Sequence, residues 1–182
     1  YADYSDMMSI TEELISGLAE LLYGKTTLPY GDKEIHFKTP WKRISFYDAL
    51  KEKTGIDFRT VDLRQAAVKL KLPKEEGAEE WTDVDILNEA FGAFVEPDLW
   101  DPTFVMDYPT AMTPLAKGKD EDPSLVYRFE LFIAHMEIAN AFSELNDPHL
   151  QRKRLEEQKE IIGTEKVMDE DFLTALEYGM PP

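Results

Sequence analysis

Cysteine is absent from the 182-residue sequence, which excludes disulfide bonds and thiolate metal sites. The sequence also lacks any run of about 18 or more apolar residues and any basic segment followed by an apolar one, so neither a membrane-spanning helix nor a secretion signal is predicted. A chain without cysteine fits a reducing compartment. We therefore expect a cytoplasmic protein that has no membrane partner.

Positive charge is also scarce, because 20 lysines and arginines face 37 aspartates and glutamates, which gives a net charge of −17. Nonspecific affinity for nucleic acids comes mainly from Lys and Arg side chains that neutralise phosphates. We therefore expect no DNA partner and no autonomous RNA-binding module. Most of the acidic residues are expected on a solvated surface, and a hydrophobic content of 43% is enough for a sizeable core.

The first half of the chain is predicted to be mainly helical. A helix over residues 3–23, ended by Gly24, carries an apolar stripe that we expect to be buried: Met7, Ile10, Leu14, Leu18, Leu21 and Leu22. A hairpin is predicted around Gly31-Asp32, with residues 41–44 extending its sheet, and Ser45 begins a helix to Lys53. Residues 54–100 are interpreted as a helical insertion, with helices over 61–72 and 82–99 joined by the acidic loop "PKEEGAEE".

The second half combines strands with helices. Strand pattern appears at "PTFVMDYP" and then over residues 125–134 and 137–145. Helices are predicted from Asp147-Pro148 to Ile162, and from an Asp169 cap to Gly179. Strands and helices do not alternate as they do in a parallel sheet. The prediction is therefore an α+β fold with an antiparallel sheet flanked by helices.

A row of glutamates is the most informative local feature. Glu130, Glu137 and Glu144 are spaced seven residues apart within "RFELFIAHMEIANAFSELNDP". Because strand side chains alternate, Asn140 shares a face with Phe142 and Glu144. Glu137 lies three residues before Asn140, so it falls on the opposite face unless a β-bulge intervenes.

A half-buried row of carboxylates needs partners. A divalent ion that bridges phosphates would suit one or two of these carboxylates, and an ammonium group would suit one. Alternatively, Glu130 and Glu144 could form structural ion pairs, for which the sequence offers Arg128, Arg152 and Arg154. Spacing alone leaves these alternatives open.

Several longer segments resemble a known family. "YADY", "DYPTAMTPLAK", "RFELF", "MEIANAFSELNDP", "QRKRLEEQ" and "DEDFLTALEYGMPP" are similar, in this order, to segments of the class II lysyl-tRNA synthetases. The resemblance covers nearly the whole chain and is weakest over residues 54–81. It implies part of a class II aminoacyl-tRNA synthetase catalytic fold, from after motif 2 to before motif 3. Motifs 1, 2 and 3 and the N-terminal anticodon-binding domain would then lie outside these residues.

The resemblance also implies an activity. A lysine–tRNA ligase converts lysine and ATP to lysyl-adenylate and transfers the lysyl group to tRNA(Lys). Glu130 and Glu137 are implied to hold Mg²⁺ on ATP, Asn140 and Phe142 to line the lysine and ATP site, and Glu144 to receive the lysine ammonium group. No residue of this segment is assigned a catalytic role. We expect the segment alone to be inactive, and its parent to be a homodimer.

Two other functions remain as alternatives. A paralogous group attaches a lysine-like residue to a translation factor, but its second strand reads like "GFHELTDA", and "AFSELNDP" in this chain favours the tRNA enzyme. The other alternative is a noncatalytic interaction or regulatory segment.

The remaining conspicuous residues are assigned structural roles. His135 is predicted to be an exposed turn residue, and neither His36 nor His149 has an evident partner. The three tryptophans (Trp41, Trp81 and Trp100) are expected to pack, because basic residues do not alternate with them as in a base-stacking surface. "QRKRLEEQKEII" is predicted to be a solvated helix face. The loop "YPTAMTPLAK" either shapes the site or simply turns the chain.

Overall fold

The computed structural model describes residues 3–72, 81–162 and 168–181, and it confirms the α+β class. The helices are α1 (Tyr4–Tyr23), α2 (Phe46–Thr54), α3 (Leu63–Leu70), α4 (Asp83–Phe94), α5 (Pro148–Ile162) and α6 (Glu170–Glu177). The strands are β1 (Thr27–Tyr30), β2 (Lys33–His36), β3 (Lys42–Ser45), β4 (Thr103–Met106), β5 (Arg128–Ile133) and β6 (Met136–Phe142). None of these helices is long and apolar enough to cross a membrane.

Helix α1 has the predicted bounds but buries a different face. Asp3 caps it by accepting hydrogen bonds from the backbone of Ser5 and Asp6, and Gly24 ends it with a φ of 68°. The predicted stripe is wrong, because its six residues, Met7, Ile10, Leu14, Leu18, Leu21 and Leu22, are all exposed. The buried face instead carries Met8, Glu12 and Ala19.

Glu12 explains why the pattern was misleading. Its carboxylate accepts hydrogen bonds from the Trp41 backbone N–H at 3.0 Å and from Arg43 Nη2 at 2.7 Å. A charged residue can be buried when it is paired in this way. Because Glu12 is paired with Arg43 and the Trp41 backbone, the face of α1 that contains this charged residue packs toward the sheet.

Strands β1 and β2 form a separate two-stranded antiparallel sheet. The prediction that residues 41–44 extend this hairpin is wrong, because β3 pairs with β4 in another sheet. Trp100 Nε1–H donates to the Glu34 carbonyl oxygen at 2.6 Å and so ties the hairpin to the rest of the fold. The expectation that His36 has no partner is also wrong, since its Nδ1 lies 3.0 Å from Asp101 Oδ1.

The main sheet has the strand order β3-β4-β5-β6 and is antiparallel except that β3 runs parallel to β4. A parallel pair needs a long crossover, and the chain between β3 and β4 contains α2, α3 and α4. These helices cover one face of the sheet with a core that includes Phe46, Phe91, Tyr108 and Phe132. The other face packs with α1 through a core that includes Met8, Trp41, Phe104 and Phe129.

The two helices predicted within residues 54–100 are present as α3 and α4, although α4 ends at Phe94 and not at the predicted Leu99. Their core is shared with the sheet, and the interpretation of this segment as an insertion stays a prediction. The acidic loop "PKEEGAEE", residues 73–80, lies outside the described residues. Packing roles are confirmed for Trp41, which is 4% exposed, and for Trp100, which packs against the same core.

Helices α5 and α6 begin where the sequence predicted. The carboxylate of Asp147 accepts from the backbone N–H groups of His149 and Leu150, and that of Asp169 accepts from Phe172. The prediction that "QRKRLEEQKEII" is wholly solvated is wrong, because Gln151 and Arg154 are buried. Arg154 Nη1 donates to the carbonyl oxygens of Pro114, at 3.3 Å, and Ala116, at 2.6 Å. Helix α5 is thereby attached to the loop between β4 and β5 that contains Pro114 and Ala116.

Candidate active site

A β-bulge in β6 decides which side chains share the candidate site. Glu130 pairs with Asn140 and Leu131 with Ala139, but Phe132 pairs with Glu137, which leaves Ile138 as the extra residue. A bulge places two residues opposite one. Glu137 therefore lies on the same face as Glu130 and Asn140, although it precedes Asn140 by three positions. The sequence allowed Glu137 on the Asn140 face only if β6 contained a bulge, and the structure contains that bulge.

Asn140 links the two glutamates. Its Nδ2 donates to Glu137 Oε1 at 3.2 Å and lies 3.4 Å from Glu130 Oε1. Glu137 is exposed, and Asn140 is its only side-chain hydrogen-bond partner in the part of the chain that the structure describes. One carboxylate oxygen of Glu137 therefore remains available to a ligand.

Glu130 lies in a different environment. Its side chain is 12% exposed, and its carboxylate is paired with Arg128. Tyr108 Oη–H donates to Glu130 Oε2 at 2.6 Å. Burial raises the pKa of Glu130, although the Tyr108 hydrogen bond and the Arg128 charge oppose this change. The structural ion pair that the sequence left open is thus formed at Glu130.

A third carboxylate, Glu96, approaches from the segment after α4. Burial raises its pKa, and the nearby charge of Glu137 raises it further. Glu96 lines a cavity of about 330 Å³ together with Glu130, Arg128, Tyr108, Met112, Phe46, Asn88 and Phe91. Glu96 could not be predicted as a site residue, because nothing in "FVEP" ties it to strands more than thirty residues later.

Phe142 and Glu144 continue the same side of β6. Phe142 is half-buried, pairs with Arg128 across the ladder and packs against the core under the helices. Glu144 lies beyond the strand in a bridge with Ala116. It is exposed, whereas the next residue, Leu145, is buried.

Glu144 does not form the ion pair with an arginine that the sequence left open. Arg152 Nη2 pairs with Glu170 at 2.6 Å, and Arg154 is bound to backbone carbonyl oxygens. Among the described residues, Glu144 has no side-chain hydrogen bond and no ion pair. Its carboxylate is therefore available to a group from outside the described chain.

Comparison with known proteins shows the family of the chain that carries these residues. The whole chain, residues 1–182, matches the family model for tRNA synthetases class II (D, K and N). The chain belongs to this class II synthetase family. Each of the similar relatives below is a lysine–tRNA ligase: the protein from Carboxydothermus hydrogenoformans is 51% identical over 190 residues, that from Dehalococcoides mccartyi 48% over 191 and that from Bacillus subtilis 47% over 187. In each alignment all of this chain is covered, and it spans 38% of the relative's length.

The loop after β4 contacts residues of the candidate site. Tyr108 contacts Glu130, and Thr113 Oγ1 accepts from Arg128 Nη1 at 2.5 Å. Lys117 N–H donates to the Ser143 carbonyl oxygen at 2.8 Å, which joins the loop to the end of β6. The loop therefore shapes the site in addition to turning the chain.

His135 has the turn role that the sequence predicted. It is exposed in the two-residue turn between β5 and β6, where Ala134 and His135 have φ values of 51° and 65°. Such a turn requires positive φ at both positions. Its Nδ1 lies 3.1 Å from the Glu96 carbonyl oxygen, and its ring contacts Trp100. Nothing in these contacts assigns it a role as a base.

The donor set suits magnesium held jointly with a substrate. Within residues 3–72, 81–162 and 168–181, no group of three or more His, Asp or Glu residues could hold a metal ion. Magnesium prefers oxygen ligands, and with nucleotides it commonly takes one or two carboxylates, with phosphates and water completing the shell. The close approach of Glu130 and Glu137 through Asn140 fits this requirement.

Proposed function

We propose that the protein to which this chain belongs is a lysine–tRNA ligase. It would activate lysine with ATP and transfer the lysyl group to tRNA(Lys). The observation that carries the proposal is the single polar wall formed by Glu130, Glu137 and Asn140. This wall occurs in a class II synthetase chain that is about half identical to proteins named lysine–tRNA ligase. Because the chain spans 38% of those relatives, the activity is proposed for the whole protein.

In the first step, a lysine carboxylate oxygen attacks the α-phosphorus of ATP. A new oxygen–phosphorus bond forms, the bond to the bridging oxygen breaks, and pyrophosphate leaves with the electron pair. Glu137, with its available oxygen, and Glu130 would hold magnesium on the phosphates. Bound magnesium neutralises the negative charge that develops on those phosphates. Asn140 and Phe142 line the wall along which the two substrates are aligned.

In the second step, a hydroxyl of the terminal ribose of tRNA attacks the carbonyl carbon of the adenylate. An ester bond forms, the bond from that carbon to the phosphate oxygen breaks, and AMP leaves with the electron pair while its phosphate takes up the hydroxyl proton. The described residues contribute to this step by keeping the adenylate in place. The proposal also includes a homodimeric parent protein in the cytoplasm, which the resemblance to the family supports.

Glu144 is proposed to select lysine. Its carboxylate is exposed and has no ion-pair partner among the described residues, and a lysine ammonium group is a compact cation that suits it. Once substrate and surrounding protein cover it, the carboxylate would be costly to leave unpaired. An amino acid without a matching cation would therefore be rejected.

The test is Glu144→Gln in the complete protein, which keeps the shape and removes the charge. We expect lysine recognition to weaken by about 2–5 kcal/mol, or roughly 30-fold or more in the KM for lysine, because a covered charge pair is broken. The KM for ATP should change by less than about threefold. The assay is lysine-dependent exchange of pyrophosphate into ATP, with lysine and ATP varied separately.

Glu177→Gln is the matched control, because Glu177 is an exposed glutamate on α6. It should leave both KM values unchanged. If Glu144→Gln weakens both substrates equally, or unfolds the protein, Glu144 is a structural acid. If the unaltered protein shows no lysine-dependent exchange, the proposed activity itself is wrong.

A further inference from the structure

Arg128 is the most highly connected side chain of the site. Its Nη1 donates to Thr113 Oγ1 at 2.5 Å, its Nε donates to Asn140 Oδ1 at 3.2 Å, and its Nη2 pairs with Glu130. The guanidinium group also lies over the Tyr108 ring, 4.6 Å from its centroid. One cation thus joins the loop after β4 to both strands that carry the polar wall.

The Nε contact determines how the Asn140 amide is oriented. Because Arg128 Nε can only donate, it fixes the Asn140 oxygen on its own side. The Asn140 nitrogen then points to the carboxylates, 3.2 Å from Glu137 Oε1 and 3.4 Å from Glu130 Oε1. A reversed amide would place an oxygen against two carboxylates and a nitrogen against the guanidinium group. Arg128 therefore orients the Asn140 amide so that its nitrogen donates to Glu137.

Arg128 also compensates a local excess of negative charge. Glu96 and Glu130 line the same cavity, and Glu130 and Glu137 both lie within hydrogen-bond distance of Asn140 Nδ2. In the described ranges, Arg128 is the only basic side chain that forms an ion pair with any of the three. The Arg128 and Glu130 side chains are 15% and 12% exposed, so water screens this ion pair only in part.

We propose that Arg128 is a positioning residue that holds Glu130 and Asn140 so that Glu137 presents its available oxygen to a nucleotide-bound divalent cation. This inference rests on the proposed function and adds a residue to it. Lysine at this position would keep the positive charge but lose the planar guanidinium group. A single ammonium group cannot make the same set of contacts to Thr113, Glu130 and Asn140. Residues that orient metal ligands typically alter metal affinity about 10–100-fold when changed.

The test compares the complete protein with its Arg128→Lys variant. Binding of Mn²⁺ in the presence of ATP, without lysine, is measured by electron paramagnetic resonance, so that no turnover is needed. We expect the variant to bind Mn²⁺ at least tenfold more weakly. In pyrophosphate exchange at saturating ATP and Mg²⁺, kcat should fall at least tenfold, whereas the KM for lysine should change less than threefold.

Two further variants make the result specific. Arg152→Lys alters an exposed arginine that pairs with Glu170, and it should match the unaltered protein in both assays. Thr113→Val removes only the hydroxyl that accepts from Arg128 and should weaken Mn²⁺ binding about threefold or more. If Arg128→Lys does not fold, Thr113→Val decides, and unchanged Mn²⁺ binding by it overturns the proposal.

The outcomes separate this inference from the proposed function. Mn²⁺ binding and kcat within twofold of the unaltered protein in Arg128→Lys would overturn the positioning role alone. Loss of Mn²⁺ affinity in this variant, in a protein without lysine-dependent exchange, would support positioning and refute the lysine activity. An unaltered protein that binds no Mn²⁺ with ATP would overturn both.

Discussion

The two proposed metal-binding glutamates should respond differently to the same substitution. Glu137 is exposed and accepts one side-chain hydrogen bond among the described residues. Glutamine at this position can still accept that bond from Asn140. We therefore expect Glu137→Gln to change the free energy of unfolding by less than about 0.5 kcal/mol, as for most surface substitutions. Loss of its charge should nevertheless lower kcat for pyrophosphate exchange about 10²–10³-fold, the scale for one transition-state electrostatic contact.

Glu130→Gln should reduce both activity and stability. The Glu130 and Arg128 side chains are 12% and 15% exposed, and Tyr108 donates to the second carboxylate oxygen. Glutamine can keep its oxygen toward Arg128 and donate its amide N–H to the Tyr108 hydroxyl, but both hydrogen bonds then lose their charged acceptor. Hydrogen bonds to charged groups contribute about 1.5–3 kcal/mol, and we expect a loss of about 2 kcal/mol.

The measurements are urea unfolding, thermal unfolding and pyrophosphate exchange on both variants of the complete protein. Tyr108→Phe is the intermediate control, because it removes one hydrogen bond to Glu130 and keeps the ring beneath Arg128. It should cost about 1 kcal/mol. Equal destabilisation by Glu137→Gln and Glu130→Gln would refute the structural distinction between the two acids. Full activity of Glu137→Gln would refute its metal-binding role.

Two further predictions concern ion pairs outside the site. Arg43→Met leaves the buried Glu12 carboxylate without its cation and should lower the free energy of unfolding, measured in urea, by about 3 kcal/mol. The double variant Arg43→Met with Glu12→Met should recover most of that loss. If the single and the double variant are equally destabilised, there is no penalty for the buried charge. The hydrogen bond from Arg152 lowers the pKa of Glu170, so the contribution of this pair to stability is present above the ordinary glutamate pKa of about 4.3 and is lost as pH falls through the lowered value. Hydrogen exchange of α6 should accelerate over this acidic range, and Arg152→Gln should remove that dependence.

Local features were predictable because they depend on neighbouring residues. Asp3 and Asp169 cap helices through backbone groups two and three positions away, and Gly24 supplies the positive φ that ends α1. Alternation correctly placed Asn140 and Phe142 on one side of β6, and the segment similarities pointed to the synthetase family that the comparison shows.

The composition of the candidate site depended on the tertiary structure. The extra residue Ile138 reverses the face expected for Glu137, because bulging is a property of the β5–β6 pairing and not of β6 alone. Glu96 joins the carboxylates only because the helices after β3 fold over the sheet. The spacing of these glutamates along the sequence could show neither the face of Glu137 nor the position of Glu96.

The sequence by itself determined where the helices begin, the strand alternation and the family, since these are recorded in short segments and their order. Only the tertiary structure decided which face of α1 is buried. Both of its sides carry residues at helical spacing, and the choice depends on Arg43 and the Trp41 backbone, which satisfy Glu12 from about thirty residues away. Burial of a charged group is decided by the partner that meets it, and that partner comes from a distant part of the chain.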